Sequence, residues 1–145
     1  MFYIVTALVA LIDQLSKNYM EALLVPGRSI PIVGDFLYLT YVQNTGAAFS
    51  LFQSHNDLLI IVGAIVSLIV FYVHFRVSEQ QKYIQFCLGL ILGGSIGNII
   101  DRVIRGYVVD FIDLKFWPVF NLADAMINIG VVLLVLKILF TKEDD

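Results

Sequence analysis

Four stretches of the chain stay apolar long enough to cross a membrane, and polar connectors separate them. Counting about 20 residues per crossing of a ~30 Å hydrocarbon layer, these stretches fall at about 2–24, 58–75, 83–101 and 121–140. The first has the length of a signal peptide, but no basic segment precedes it and no Ala-x-Ala site follows, so it reads as a retained span. The connectors are 25–57, long and carrying Pro26-Gly27 and Pro31; 76–82, short and polar; and 102–120, of middle length. With four spans, the first and third connectors share one face while the termini and the second connector share the other, so the two larger loops meet. In both loops the pattern changes. Residues 35–43 are rich in aromatic and β-branched side chains and end at the turn signal Asn44-Thr45-Gly46, and 106–114 run through β-formers toward the Trp117-Pro118 stop. The expectation is a single membrane-embedded domain, 1–145: a mainly α membrane protein of four transmembrane helices with a small sheet over one end.

Composition agrees. The chain is 59% hydrophobic and 14% charged, where a soluble domain carries roughly 45–50% apolar and about 25% charged residues; the surplus must face lipid. A net charge of −3 with 9 Lys+Arg leaves no basic surface for phosphates, which excludes nucleic acid as a partner. The single Cys87 excludes an intrachain disulfide, and two His with no H-E-x-x-H pattern provide no zinc ligand set, so neither metal nor cofactor is expected. The positive-inside rule gives a tie, because Arg76, Lys82, Lys137 and Lys142 on one face balance Arg28, Arg102, Arg105 and Lys115 on the other.

Several polar residues sit where lipid is expected. Asp13 and Lys17 stack at i,i+4 on one face of the first span, with Glu21 a turn further on. Each of the pair costs about 2.5–3.5 kcal/mol at mid-helix, so they should turn inward and pair, either to orient helices or to take part in chemistry. In the third span Gly89, Gly93 and Gly97 form a small-xxx-small stripe suited to close helix packing. Gly93-Gly94-Ser95-Ile96-Gly97 also matches the G-x-S-x-G nucleophile pattern, but it lies within a continuous apolar helix and neither His55 nor His74 is placed to serve it. Ser16 and Lys17 are adjacent, so on a helix they diverge and make no Ser-Lys dyad.

Carboxylates and amides gather where the third span ends and the fourth begins: Asn98, Asp101, Arg102, Asp110, Asn121, Asp124 and Asn128. Asn121, Asp124 and Asn128 form a polar stripe on an otherwise apolar helix. Asp110 lies at the same end, with enough intervening chain to meet Asp124. Two carboxyls about 4 Å apart, at an effective dielectric of ~20, repel by about 4 kcal/mol if both ionise, so one of such a pair keeps a proton at neutral pH. The ionised partner can then deprotonate a water for attack on a peptide carbonyl while the protonated one polarises the carbonyl oxygen. The other reading of Asp124 is a helix N-terminal residue favoured by the macrodipole. Asp101 reads as the partner of an arginine and Asp113 as a loop surface charge.

In order along the chain, the blocks Asp13-Gln-Leu-Ser-Lys17, Asn44-Thr-Gly-Ala-Ala-Phe-Ser50, Gly93-Gly-Ser-Ile-Gly-Asn-Ile-Ile-Asp-Arg102, Gly106-Tyr-Val-Val-Asp-Phe111 and Phe120-Asn-Leu-Ala-Asp124 resemble those of the lipoprotein signal peptidases, also called signal peptidase II or prolipoprotein signal peptidase. The resemblance implies an aspartic endopeptidase of the bacterial inner membrane that removes the signal peptide from diacylglyceryl-modified prolipoproteins just before the lipidated cysteine. It implies Asp110 and Asp124 as the catalytic pair; Asn44, Asn98, Arg102 and Asn121 as residues that hold substrate or orient the aspartates; and Asp13 and Lys17 as structural support. It further implies an extracytoplasmic β-cradle with a short loop helix, cytoplasmic termini, a monomer among membrane lipids, and inhibition by globomycin-type cyclic peptides. Two readings from other classes stand beside it. One is a small proton-coupled transporter relaying protons through Asp13, Lys17, Asp110 and Asp124, although no internal repeat is visible. The other is a non-enzymatic packing subunit.

Overall fold

The computed structural model describes residues 1–46 and 55–140. Four helices and a three-stranded sheet follow in the order α1 (Phe2–Leu23), β1 (Ser29–Val33), β2 (Leu37–Asn44), α2 (Asn56–Arg76), α3 (Lys82–Arg105), β3 (Val108–Asp113) and α4 (Leu122–Phe140). Three of the helices, α2, α3 and α4, are long and apolar enough to cross a membrane. The other, α1, has the length for it, but Asp13, Gln14, Lys17 and Asn18 lower its apolar character.

The central helix is α3, which packs against each of the other three. Glycines make that possible. A Cβ on Gly93 would lie 2.7 Å from the Thr6 carbonyl oxygen of α1, and one on Gly94 would lie 2.5 Å from the Ala123 carbonyl oxygen of α4. Gly97 faces Asp13. The α3 stripe expected for close packing therefore serves the α1 interface, with Gly94 opposite serving α4. The G-x-S-x-G match lies in the buried interior of this helix with no strand-to-helix elbow. Outside the bundle, Leu68, Ile138 and Leu139 stand exposed, as lipid-facing side chains must.

Helix α3 runs a turn beyond its apolar stretch, to Arg105, because Arg102 and Arg105 suit the negative C-terminal end of the dipole. It stops at Gly106, whose φ of 80° supplies the left-handed cap. The chain then enters β3, which pairs antiparallel with β2 in the sheet order β1-β2-β3. The first and third connectors thus do meet, as hydrogen-bonded strands. Strand β1, which the sequence reading does not single out, contains Pro31; it is an edge strand, where proline is tolerated. No short loop helix occurs among the described residues, and residues 47–50 of the Asn44–Ser50 block lie outside them. Under the sheet, Met20 of α1 and Leu24 just past its end pack with Tyr41, Val109 and Phe111, fixing the sheet to the end of the bundle.

Candidate active site

Strand alternation sends Val109 and Phe111 into that core, so Asp110 between them points the other way. Phe120, just before α4, then bonds to β3: its N–H donates to the Ile112 carbonyl at 3.1 Å, and its carbonyl accepts the Phe111 and Ile112 N–H groups at 2.9 and 2.8 Å. This pins the start of α4 beside Asp110. The carboxylates of Asp110 and Asp124 line one cavity of ≈ 650 Å³ together with Asn44, Asn98 and Arg102. Most of the remaining wall is apolar, including Val108, Phe116, Trp117 and Ile127.

Three asparagines hold the two carboxylates, and each amide is oriented by a group that can only donate. The Asn44 oxygen accepts the Gly46 N–H at 2.9 Å, which turns its nitrogen onto Asp110 Oδ2 at 2.8 Å. The Asn121 oxygen accepts the Asp124 N–H at 2.9 Å, and its nitrogen donates to Asp110 Oδ1 at 2.7 Å. The Asn98 oxygen accepts from Lys17 Nζ at 3.0 Å, and its nitrogen donates to Asp124 Oδ1 at 2.8 Å. Asp124 Oδ2 returns a 3.3 Å contact to the Asn121 N–H, closing a reciprocal capping box at the start of α4. Asp124 is therefore both a helix-capping residue and a wall of the cavity.

Asp110 is 2% exposed. Burial, and after it the Asp124 charge, push its carboxyl up to about 7, against the Asn44 and Asn121 amides that favour the ionised form. A carboxyl there exchanges its proton near neutral pH, which suits general acid-base work. Arg102 reaches the same cavity with its guanidinium bonded to the Gly46 carbonyl at 3.1 Å.

Asp13 and Lys17 lie away from the cavity. Lys17 Nζ is fully buried and contacts Asp13 at 2.7 Å, Asp101 at 3.2 Å and the Asn98 oxygen. Asp13 also accepts the Ala123 N–H at 2.9 Å, tying α1 to the start of α4. Asp101 pairs with Arg105 at 2.8 Å, and its second oxygen accepts the Val109 N–H at 3.0 Å, so it joins α3 to β3 as well as meeting an arginine. Sequence reasoning missed Gln14, which donates to Asp101 at 2.8 Å and to the Gly97 carbonyl at 3.0 Å. The available signal was its position beside Asp13 in a span that is otherwise apolar. Asp113 corrects an expectation. It is a largely buried residue of β3, not a loop charge, because Thr40 and Lys115 each donate to it at 2.7 Å. Against the upward push of burial, those bonds hold its carboxyl below the usual carboxylate range.

Residues 5–140 match the family described as signal peptidase (SPase) II. The chain belongs to the signal peptidase II family. It is 42% identical over 138 residues to a lipoprotein signal peptidase of Moorella thermoacetica, covering 95% of this chain and 92% of that protein. To a lipoprotein signal peptidase of Halothermothrix orenii it is 44% identical over 138 residues, covering 94% and 93%. A solved bacterial membrane enzyme superposes with a TM-score of 0.91 at 29% identity, covering 99% of this chain and 93% of that one. As a signal peptidase II, the chain is a protease of the membrane, and the transporter and packing-subunit readings fall away.

Proposed function

We propose that this signal peptidase II cleaves the signal peptide from diacylglyceryl-modified prolipoproteins just before the lipidated cysteine, by water attack between Asp110 and Asp124. The observation that carries the reading is the shared cavity: two carboxylates, each held by oriented asparagine amides, in a largely apolar recess at the end of a membrane bundle. The ionised aspartate takes a proton from water, and the resulting hydroxide adds to the scissile carbonyl, whose oxygen is polarised by the protonated aspartate. Collapse of the tetrahedral species breaks the C–N bond, with a proton delivered to the leaving amine. Asn44, Asn98 and Asn121 orient the pair, and Arg102 faces the substrate backbone. No metal or cofactor enters these steps.

In this reading α1 is a fourth span, its charges silenced by inward pairing with α3. The sheet then forms an extracytoplasmic cradle, the termini face the cytoplasm of a bacterial inner membrane, and the monomer admits substrate sideways from the bilayer so that its acyl chains stay in lipid. Globomycin-type cyclic peptides would compete for the cavity.

The test is cleavage of a synthetic precursor peptide bearing a diacylglyceryl-cysteine by detergent-purified protein, with Asp110→Asn and Asp124→Asn beside the wild type. Cutting before the cysteine that falls by at least about 10³-fold in both near-isosteric variants is the expected result. Retained cutting in either variant overturns the dyad, and an inert but folded wild type overturns the substrate class.

A further inference from the structure

Asn128 sits one helical turn past Asp124, about 6 Å further along the α4 axis into the bundle. It lines the same cavity and is exposed. Within α4 it is the only polar side chain between Asp124 and Lys137. Among the described residues its one hydrogen bond runs from Nδ2 to the Asp124 carbonyl at 2.9 Å. Its oxygen and its second N–H have no partner among the described residues. A polar side chain in a membrane-spanning helix is costly unless something satisfies it, and α4 needs no amide at this point for its own backbone bonds.

A precursor bound for cleavage supplies a matching group. To expose the scissile carbonyl, its backbone must unwind beside Asp110 and Asp124, which leaves peptide N–H and C=O groups without helical partners at membrane depth. Such backbone is tolerated only where protein groups or a wet cavity satisfy it. With one N–H already given to the Asp124 carbonyl, the Asn128 amide has one acceptor and one donor left, the complement of a single peptide group. The apolar signal segment stays in the bilayer, so the group that lies inward of the carboxylates belongs to the signal-peptide side of the scissile bond.

We propose that Asn128 is a substrate-positioning residue whose side-chain amide binds one peptide group of the precursor, on the signal-peptide side of the cleaved bond. This rests on the peptidase reading above. Asn128 takes no part in proton transfer; it sets how the unwound chain lies across the carboxylates.

The experiment compares wild type with Asn128→Leu, which suits an apolar helix and whose folding is checked by its thermal midpoint in detergent, and with Asn128→Gln, which keeps the amide. The substrates are diacylglyceryl-cysteine peptides in which one backbone amide at a time, N-terminal to the cysteine, is replaced by an ester. The leucine variant should raise KM about 3- to 10-fold, the range for one net hydrogen bond, with the loss falling in KM more than in kcat. Asn128→Gln should recover part of it. At one position the ester should cost the wild type a similar factor and cost Asn128→Leu nothing further. Equal KM in wild type and Asn128→Leu, or penalties that multiply independently at every position, overturns the proposal while leaving the peptidase reading intact. Coupling seen only with a dialkyl-ether lipid on the cysteine assigns Asn128 to the lipid esters and also overturns it. A folded wild type that cleaves none of the amide substrates removes the peptidase reading itself and this proposal with it.

Discussion

Asn121 donates from its side chain to Asp110 at 2.7 Å, and the same side chain caps the helix that carries Asp124. One residue therefore sets both the position of α4 and the hydrogen bonding of the strand carboxylate. Replacing it by alanine removes a cap worth about 1 kcal/mol and frees Asp110 on one side. Asn121→Ala should fold with a modestly lower thermal midpoint and lose about 10- to 100-fold in peptide cleavage. Activity within a factor of two of wild type would show that Asp110 does not depend on this amide.

The raised carboxyl of Asp110 sets a pH dependence. With a folded value of about 7 and an ordinary value near 3.9, its contribution to stability is fully present below about pH 4 and is lost as pH rises through about 7. Asp110→Asn cannot ionise, so its stability relative to wild type should improve by roughly 2–3 kcal/mol between pH 5 and pH 8. Thermal midpoints of both proteins measured across that range check the sign. On the proposed dyad mechanism, cleavage by the wild type should be bell-shaped in pH, because neither the doubly protonated nor the doubly ionised pair would act; a flat profile would count against the shared proton.

Lys17 neutralises Asp13 and Asp101 at the crossing of α1 and α3. Lys17→Met leaves the buried Asp13 carboxylate without a cation and Asp101 with Arg105 alone, and should cost about 3–5 kcal/mol. The double variant Lys17→Met/Asp13→Asn should recover part of that loss. Denaturation in detergent distinguishes the cases, and equal stability of the single and double variants would refute the pairing as the source.

Gly94 tests the contact between α3 and α4. A methyl there meets the Ala123 carbonyl oxygen, a backbone atom that cannot rotate away, so Gly94→Ala should destabilise by about 1–3 kcal/mol and lower cleavage by moving the helix that bears Asp124. Gly34 is the contrast: its φ of 47° disfavours a side chain, but no atom lies within 4 Å of the added Cβ. Gly34→Ala should cost about 1 kcal/mol and leave cleavage unchanged. Equal activity losses at the two sites would argue that neither acts through α4.

The long apolar runs determined the helices, because lipid selects side chains by length and polarity alone. β-formers ending at turn residues likewise marked β2 and β3. The cost of charge in an apolar span singles out Asp13, and the gathering of carboxylates and amides where the third span ends and the fourth begins singles out Asp110 and Asp124. Tertiary structure decided what those groups do. Asp113 and Asp101 look alike in sequence, as acids near span ends, yet one is clamped by Thr40 and Lys115 in a strand and the other joins α1, α3 and β3. β1 stayed hidden because its pairing with β2 outweighs the local preference of Pro31. The orientation of each asparagine depends on a donor from elsewhere in the chain, such as Lys17 for Asn98. Hydrophobic pattern is local and is written along the chain; the partner of a buried polar group is chosen only when distant segments pack, because only then is water removed and a specific donor required.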